Sequence, residues 1–575
     1  MSTSFARKLQ RTLTAFLPIR PKPLLKTYDY IVVGAGSAGC VVASRLSEDP
    51  NVTVLLLEAG RQDNHPFIHF PVLYFKAIGN PRFDWKYAVE KETSGLAGRS
   101  INWPRGKGLG GSSSINGLLY IRGQPQDYDD WARLNPGWAW DDMLPLFRRA
   151  EDNECLGTVS GFEQRLHSKG GPQAVSAGRF ETDLAERWMD ACAKVLDIPK
   201  KDDVNGSELE CVGYFQQLTQ TVGIWPFRCS SAVAYLHSIR RQRPNLHIMP
   251  EAEVADLRLS DATSGPLHAE GVRFTRRGEE QTAMIAPGGE VVISAGALGS
   301  PEILMRSGIG PEASLRAAGV TPRHVLPGLG QNLQDHLQLR AKYACEGAKS
   351  LNTRARGLGY IGISAEFAFQ GRGPATMAAS QVCAFARSAA ARDERPDIQF
   401  HFQPLSTSGS PAIHLDGFDA FTASVCQLRP TSRGHVELRP GGAPGIRIHA
   451  NYLESPEDQA CAAASLRAAR LVSEELGRQV GAPIVRELGP GQECQDDASL
   501  VDWARRYGES IYHPVGTCKM GPASDPAAVV DHKLQLHGVE GVRVADCAIM
   551  PALVSGNTHA PAQAIGEKAA DMIKA

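Results

Sequence analysis

Apolar and polar positions follow their clearest pattern between residues 28 and 58. The segment "YDYIVVGAGSAGCVVASRLSEDPNVTVLLLEAG" holds two short β-rich runs separated by a glycine-rich turn and an apolar helical stretch. Strands buried on both faces carry continuous apolar runs, so the pattern predicts parallel strands over 28–33 and 52–57. A helix over 41–46 is predicted between them, which makes one βαβ unit.

Two segments in the middle of the chain also predict regular structure. Residues 291–294 predict a strand, and Pro301 predicts the first turn of a following helix. Between residues 397 and 440, three β-rich runs predict strands of one sheet, and a helix is predicted over 457–476. These elements indicate a second region of mixed α+β structure.

The last fifty residues repeat the pattern of the first unit. They predict a strand over 542–545 and a helix with Pro561 near its start. The chain is therefore expected to return to its first sheet. The predicted fold class is an α/β domain with a Rossmann-like βαβ unit, together with a second α+β domain built on an antiparallel sheet.

The first 28 residues differ from the rest in charge. They carry Arg7, Lys8, Arg11, Arg20, Lys22 and Lys26, and no acidic residue precedes Asp29. Apolar residues recur at helical spacing, namely Phe5, Leu9, Leu13, Phe16 and Leu17. A basic amphipathic segment of this kind is expected to be a frayed extension, a peripheral membrane contact or a transit peptide.

The overall composition excludes several classes of protein. The 575 residues include 61 Lys and Arg and 62 Asp and Glu, so no net field attracts nucleic acid. The 12 cysteines form no CxxC pair, which favours reduced thiols in a cytosol-like compartment. No apolar run reaches the length of about eighteen residues that spans a bilayer. The expected location is the cytoplasm, with peripheral association with the inner membrane through residues 1–27 kept open.

The turn after the first predicted strand has the spacing of a dinucleotide-binding loop. Gly34, Gly36 and Gly39 occupy G-x-G-x-x-G positions, and Glu58 follows about twenty residues later. Such glycines allow a tight turn, close approach of a pyrophosphate and close packing of helix on strand. The acid is placed to accept hydrogen bonds from an adenosine ribose.

Several longer motifs resemble those of the glucose–methanol–choline (GMC) oxidoreductases. They are "RGKGLGGSSSINGLLYIRG", "SAGALGSPEILMRSGIG", "GLGQNLQDH", "HPVGTCKMG" and "VADCAIMP", in this order along the chain. The resemblance implies bound FAD and a second domain that covers the flavin ring. It divides the chain into a basic extension (1–27), an FAD-binding domain with substrate-cap insertions (28–335), a substrate-binding domain (336–505) and a C-terminal return to the FAD domain that carries the catalytic histidines (506–575).

The resemblance also assigns residues to the cofactor. Besides the glycines and Glu58, it implies contacts with FAD from Gly110, Gly111, Ser112, Asn116, Val254, Asp546, Cys547, Thr558 and Pro561. Some members attach FAD covalently through a histidine in the first of these motifs. That position is Ile115 here, so the FAD is expected to be non-covalent.

Two histidines are the candidate catalytic residues. His513 in "HPVGT" is the expected base, since a neutral imidazole at pH 7 accepts a hydroxyl proton. His559 in "NTHAP" is expected to hydrogen-bond the substrate oxygen, as in glucose and aryl-alcohol oxidases. No metal site is expected.

The resemblance implies oxidation of a primary alcohol to an aldehyde, with hydride transfer to flavin N5. The electrons are expected to pass to a quinone or another acceptor, and an alcohol oxidase using O2 is the alternative. A fatty-acid photodecarboxylase is disfavoured because its members lack the histidine found here at 513, and because Leu428 replaces their active cysteine. A flavin-binding protein without catalysis is disfavoured by the histidine pair.

Overall fold

The computed structural model describes residues 3–91, 95–261, 266–408, 414–479, 481 and 483–575. The α-helices are α1 Thr3–Ala15, α2 Gly39–Leu46, α3 Pro66–His69, α4 Tyr74–Ala77, α5 Pro125–Ala132, α6 Trp140–Ala150, α7 Asp183–Leu196, α8 Gly296–Arg306, α9 Glu312–Ala317, α10 Leu351–Arg354, α11 Gly359–Gln370, α12 Pro456–Arg478, α13 Asp497–Tyr507 and α14 His559–Lys574. The strands are β1 Tyr28–Val33, β2 Val54–Glu58, β3 Tyr87–Ala88, β4 Asn102–Trp103, β5 Glu151–Asn153, β6 Gln173–Val175, β7 Cys211–Tyr214, β8 Thr219–Val222, β9 Trp225–Arg228, β10 Leu246–Pro250, β11 Ala252–Leu259, β12 Ala269–Arg276, β13 Glu279–Ile293, β14 Ile309–Gly310, β15 His324–Val325, β16 Leu337–Glu346, β17 Val382–Ala386, β18 Ile398–Gln403, β19 Thr407–Ser408, β20 His414–Leu415, β21 Ala420–Gln427, β22 His435–Leu438, β23 Ile446–His449, β24 Ile484–Gly489, β25 Glu509–Ser510 and β26 Val542–Val544.

The first large sheet has the strand order β10-β2-β1-β13-β12-β11, with β26 beside β13. Its central strands are parallel, and Val32 of β1 lies opposite Leu56 of β2 and Val292 of β13. Helices and strands cover both faces, which explains why β1 and β2 are continuously apolar. Because parallel strands end at the same edge, Gly34 after β1 and Glu58 at the end of β2 lie side by side.

The second large sheet is antiparallel, with the order β24-β16-β21-β18-β17-β7 and β25 beside β16. Two of the three β-rich runs predicted between residues 397 and 440 are the neighbouring strands β18 and β21. The third prediction was wrong in its pairing, because β22 forms a separate hairpin with β23. The short turn at Pro440–Gly442 returns the chain directly, so β22 pairs with its nearest neighbour in sequence.

Helix α8 begins at Gly296, five residues earlier than the sequence predicted. Asp546 and Ser300 make the earlier start stable, since they accept hydrogen bonds from the backbone N–H groups of residues 296 and 295. Pro301 therefore lies inside the helix and cannot donate to the carbonyl of Ala297. The hydroxyl of Thr517 donates to that carbonyl instead, at 2.6 Å.

Helix α1 packs on the protein through its polar side. The ammonium group of Lys8 lies 2.7 Å from a carboxylate oxygen of Glu154, and the buried Arg11 donates to the carbonyl of Pro172. Leu13 and Phe16 of the same segment are exposed. The basic residues expected to face a lipid surface thus include two that face the protein.

Two expectations from the composition can be compared with the structure. All twelve cysteines are free, and eleven of them are buried. Within the described residues, none of the helices combines the length and the hydropathy that crossing a membrane requires.

Candidate active site

One cavity of about 1790 Å³ joins the two large sheets. It extends from Glu58 and Val254 at the carboxyl edge of the first sheet to His513 and Asn557 beneath the second. A cavity of this size exceeds the usual range for a small-molecule site, so it has room for a dinucleotide and a substrate together. Its two ends differ in chemistry.

The first end is formed by two glycine-rich loops in contact. Gly34 has a φ of +97°, and a Cβ there would lie 2.5 Å from the carbonyl oxygen of Ser294. Gly111 has a φ of +52°, and its Cβ would lie 2.7 Å from the Cα of Gly36. A Cβ at Gly36 would meet only one protein atom within 4 Å, at 3.8 Å, so this position opens onto the cavity. These positions fit a bound pyrophosphate.

Glu58 is held at the same end by the backbone. Its two carboxylate oxygens accept hydrogen bonds from the N–H groups of Ala35 and Gly60, at 2.9 and 2.8 Å. Burial raises the pKa of Glu58 to about 6. The carboxylate still borders the cavity, in a position that suits contact with a ribose.

Most of the residues that the sequence assigned to the cofactor border this cavity. They are Gly34, Gly36, Glu58, Gly111, Ser112, Asn116, Val254, Asp546, Cys547 and Thr558. Gly39, Gly110 and Pro561 are not among the lining residues. Gly39 has a packing role, because a Cβ there would lie 1.9 Å from the carbonyl oxygen of Gly34.

A buried cation lies behind the loop that contains Asn116. Arg228 is 1% exposed, and its guanidinium donates to the carbonyl groups of Ile68, Ser113 and Asn116. No carboxylate pairs with it among the described residues, and burial lowers its pKa to about 9. An unpaired positive charge at this depth favours binding of an anion such as a diphosphate.

His513 lies at the other end of the cavity, where a hydrogen bond to Asp335 holds its backbone. Its N–H donates to a carboxylate oxygen of Asp335 at 2.7 Å, and the hydroxyl of Ser510 donates to the same carboxylate at 2.5 Å. The preceding residue, Tyr512, has a φ of 71°, a left-handed conformation that is rare for a non-glycine residue. Strained backbone of this kind is frequent where a reactive side chain is oriented.

A second histidine determines which nitrogen of His513 carries a proton. Nε2 of His336 lies 3.0 Å from the carbonyl oxygen of Leu428, which can only accept, so Nε2 carries the proton. The pKa of His336 is lowered to about 4 by burial, so the ring is neutral and its Nδ1 accepts. This Nδ1 lies 3.0 Å from Nδ1 of His513, which must therefore donate. Nε2 of His513 is left as the unprotonated nitrogen on the cavity side.

The burial of His513 keeps its ring neutral at ordinary pH. Its pKa is lowered well below the usual value, first by burial and then by the nearby His336 and His401. A neutral imidazole with a free Nε2 can accept a proton from a hydroxyl group. The site thus has one group in the protonation state that a general base requires.

The structure places Asn557, and not His559, against His513. The side-chain amide of Asn557 donates to Nε2 of His513 at 3.1 Å, and its Oδ1 is buried without a hydrogen-bond partner among the described residues. Nδ1 of His559 instead lies 3.0 Å from the hydroxyl of Ser37 in the first glycine loop. The Nε2 of His559 is also buried, with no hydrogen-bond partner in the part of the chain that the structure describes, and its ring borders the cavity.

Sequence reasoning missed three residues at this end. His336 stands at the end of the quoted motif "GLGQNLQDH", and Asn557 stands two residues before the assigned His559. His401, on β18, is 1% exposed and lines the cavity, and its Nε2 bonds to none of the residues that the structure describes. The signal for the first two was their place in motifs, whereas His401 had no local signal.

The comparisons with known proteins agree with this geometry. Residues 28–338 and 430–566 match the two family models described as GMC oxidoreductase. The chain is 37% identical to the alcohol dehydrogenase (acceptor) of Pseudomonas putida, covering 95% of each chain. It is 37% identical to the oxygen-dependent choline dehydrogenase of Proteus mirabilis, covering 95% of this chain and 96% of that one.

A solved structure shows the same overall arrangement. Pyridoxine 4-oxidase from Mesorbium loti is 31% identical and superposes with a TM-score of 0.81, covering 95% of this chain and 99% of that chain. The chain belongs to the GMC oxidoreductases and is an FAD-dependent enzyme that acts on CH–OH groups.

Proposed function

We propose that this protein oxidises a primary alcohol to an aldehyde, with His513 as the base that accepts the hydroxyl proton. The observation that carries the proposal is the unprotonated Nε2 of His513, fixed by His336 and directed to the cavity. Bound FAD supplies the chemistry of hydride acceptance. The protein holds the alcohol in register and takes the proton.

We propose Asn557 as the residue that contacts the substrate oxygen together with His513. An alcohol oxygen placed at Nε2 of His513 lies within reach of the amide that now donates to this nitrogen. His559 was expected in this role from the sequence. Its contact with Ser37 supports a role in holding the cofactor loop instead.

The cofactor is proposed to lie along the cavity with its pyrophosphate on the two glycine loops. Its ribose is proposed at Glu58 and its adenine near Val254, with the flavin between Cys547 and His513. Ile115 supports non-covalent FAD, because its side chain cannot form the histidyl link. The boundaries proposed from the sequence, at residues 27, 335 and 505, would give the first sheet to FAD and most strands of the second sheet to the substrate. Strands β7 and β25 of the second sheet fall in the segments assigned to FAD.

The acceptor is proposed to be a quinone or another small oxidant, with O2 as the alternative. The Pseudomonas putida relative is named for a general acceptor, and the Proteus mirabilis relative is named oxygen-dependent. Turnover of one alcohol with a soluble quinone and with O2 separates these two readings. A quinone rate well above the O2 rate supports the dehydrogenase.

A further proposal concerns residues 1–27, for which peripheral membrane contact was expected. The exposed apolar residues Leu13, Phe16 and Leu17 support such contact, although Lys8 and Arg11 are engaged with the protein. The contact would then depend on apolar side chains more than on a basic face.

The experiment that tests the catalytic assignment is anaerobic flavin reduction by alcohols in a stopped-flow instrument. His513→Ala should keep FAD and slow reduction by at least about a hundredfold, the usual cost of losing a general base. His268→Ala, which changes an exposed histidine, is the matched control and should reduce at the wild-type rate. A wild-type rate in His513→Ala would remove His513 from the mechanism.

The same instrument compares Asn557 with His559. A hydrogen bond to a group that gains charge is worth about 1.5–3 kcal/mol, so Asn557→Ala should slow reduction about tenfold to a hundredfold. His559→Ala should mainly weaken the retention of FAD. If His559→Ala slows reduction more than Asn557→Ala at full FAD loading, the original assignment of His559 is correct.

A further inference from the structure

Helix α11 is an apolar helix that buries none of its residues. Leu358, just before it, is 82% exposed, and Ile361 and Phe369 are 65% and 81% exposed. Exposed apolar patches of this kind usually mark an interaction surface, because the contact of apolar side chains with water is unfavourable. The helix is therefore expected to be covered by something.

The exposed apolar surface continues onto the hairpin of β8 and β9. Ile224 and Trp225 at its turn are 43% and 40% exposed. The indole N–H of Trp225 donates to the carbonyl of Ala368 in α11 at 3.1 Å. The guanidinium of Arg179 joins the same two elements by donating to the carbonyls of Ile224 and Gly371.

The segment 13–17, at the end of helix α1 and just after it, extends this surface. Phe16 lies with its ring centroid 4.7 Å from that of His69, in α3. The next residue, Phe70, contacts Phe367 of α11 at 5.9 Å. We use the name collar for one set of exposed apolar side chains. They belong to the segment 13–17, Phe75, the turn 224–225 and the segment 358–369.

Part of the collar borders the cavity. Phe75 of α4 is 52% exposed and also lines the cavity, and so do Tyr360 and Ile363 of α11. A surface that covers the collar would therefore face the channel that leads to His513.

Positive charges lie at the collar without acidic partners. Lys76, Arg356 and Arg372 are exposed and form no ion pair among the described residues. Glu366 is the acidic residue of the segment 354–372, and its carboxylate forms an ion pair with the guanidinium of Arg354, with an N–O distance of 2.7 Å. Exposed cations beside apolar side chains match the surface of a bilayer that contains anionic lipids.

We propose that the collar docks on an anionic phospholipid bilayer, and that the alcohol enters the site from this bilayer. The second part rests on the proposed function. The cavity walls at residues 72–78, 338–380 and 401–415 are mainly apolar and carry no described carboxylate. Such walls suit an uncharged alcohol that dissolves in lipid, and they disfavour a quaternary ammonium alcohol.

A second copy of this chain fits the collar less well. In a two-fold symmetric contact the same patch meets itself, so the unpaired cations around the collar would be brought together. Repulsion between like charges opposes such an interface. An anionic lipid surface removes this conflict.

The test is flotation of the FAD-loaded protein with vesicles of phosphatidylcholine alone or mixed with phosphatidylglycerol. Wild type should float with the anionic vesicles, and the double variant Ile361→Glu/Phe369→Glu should bind them at least about tenfold more weakly. The matched control is Leu471→Glu/Ile484→Glu, which adds the same charge at side chains that are 53% and 70% exposed elsewhere. This control should float like wild type.

Quenching of tryptophan fluorescence by brominated lipids gives a second readout in an otherwise intact protein. Quenching should occur in wild type and decrease in Trp225→Phe. Equal binding of the collar and control variants, or no binding of wild type, would overturn the docking proposal. A lipid-free dimer that the collar variant converts to a monomer would do the same, since the collar would then be a self-interface.

The entry route is tested by flavin reduction with a long-chain alcohol dispersed in the vesicles and with a short, water-soluble alcohol. The collar variant should lose at least about tenfold of its rate with the first and keep its rate with the second. Equal rates with the dispersed alcohol in wild type and the collar variant would overturn the entry route. Absence of reduction by every alcohol in wild type would instead reject the proposed function, while the flotation result would stand.

Discussion

The two ends of the cavity are built in different ways. The end proposed to hold the cofactor consists mainly of backbone: Gly34, Gly36 and Gly111 bring two loops together, and Glu58 is held by backbone N–H groups. We call it the cofactor end, and the end at His513 the substrate end. The substrate end consists of side chains that come from distant segments and contact one another around His513. A site built from backbone depends on the room beside each Cα and on the φ angle of each residue. A site built from side chains depends on their tautomers, burial and charge.

The largest expected effect comes from filling the cofactor end. Gly36→Val should fold normally, since a Cβ at this position meets only one protein atom, at 3.8 Å. It should weaken FAD binding by about a hundredfold or more, because two lost hydrogen bonds to a charged group cost about 1.5–3 kcal/mol each. The measurements are thermal unfolding of the apoprotein and titration with FAD.

The matched control is Gly34→Ala, at the other loop glycine. It should destabilise the fold itself, because its φ is +97° and its Cβ would clash with the carbonyl oxygen of Ser294. The two variants thus distinguish a glycine needed to leave room for the cofactor from a glycine needed for the fold of the loop. Full FAD affinity in Gly36→Val would show that the two glycine loops do not hold the pyrophosphate.

The same contrast explains how much could be predicted from the sequence. The spacing of Gly34, Gly36 and Glu58 predicts a cofactor site at this end, because one local βαβ unit brings these three residues together. Gly111 comes from a distant loop, and its contact with Gly36 has no signal in that unit. Strands β1, β2 and β26 and helix α12 followed from their apolar patterns and agree with the structure within about two residues.

Prediction failed where tertiary contacts decide the outcome. The start of α8 depends on Asp546, about 250 residues away. The pairing of β22 was missed for a local reason instead, because the turn that follows this strand was not predicted. At the substrate end, the motif predicts His513 as the base, but the proposed role of His336 depends on the carbonyl of Leu428. No local pattern contains that hydrogen bond.

A smaller effect is expected from His336, which tests the side-chain site. His336→Leu removes the acceptor for Nδ1 of His513, so Nε2 is no longer kept free of its proton. Flavin reduction should slow about tenfold to a hundredfold, since the lost hydrogen bond stabilises a group that becomes charged. FAD affinity should be unchanged, because the cofactor end is built separately.

His336→Gln is the control, because its side-chain oxygen can accept the same hydrogen bond. It should recover most of the rate, whereas a purely structural role would leave both variants equally slow. Equal rates in His336→Leu and wild type would show that the tautomer of His513 is fixed in another way.

The smallest expected effect is a shallow pH dependence from Asp335. Burial raises the pKa of this carboxyl to about 6, and its charge lies at the backbone N–H of His513. The carboxylate is therefore charged above about pH 6, where it stabilises the positive charge that His513 acquires, and is neutral below. The rate of flavin reduction should fall about threefold to tenfold as the pH decreases through this value.

No separate inflection is expected near 6.5, because the pKa of His513 lies well below it. Asp335→Asn should show the low-pH rate at every pH between 5 and 8, measured by stopped flow, and an inflection that persists in this variant would belong to His513.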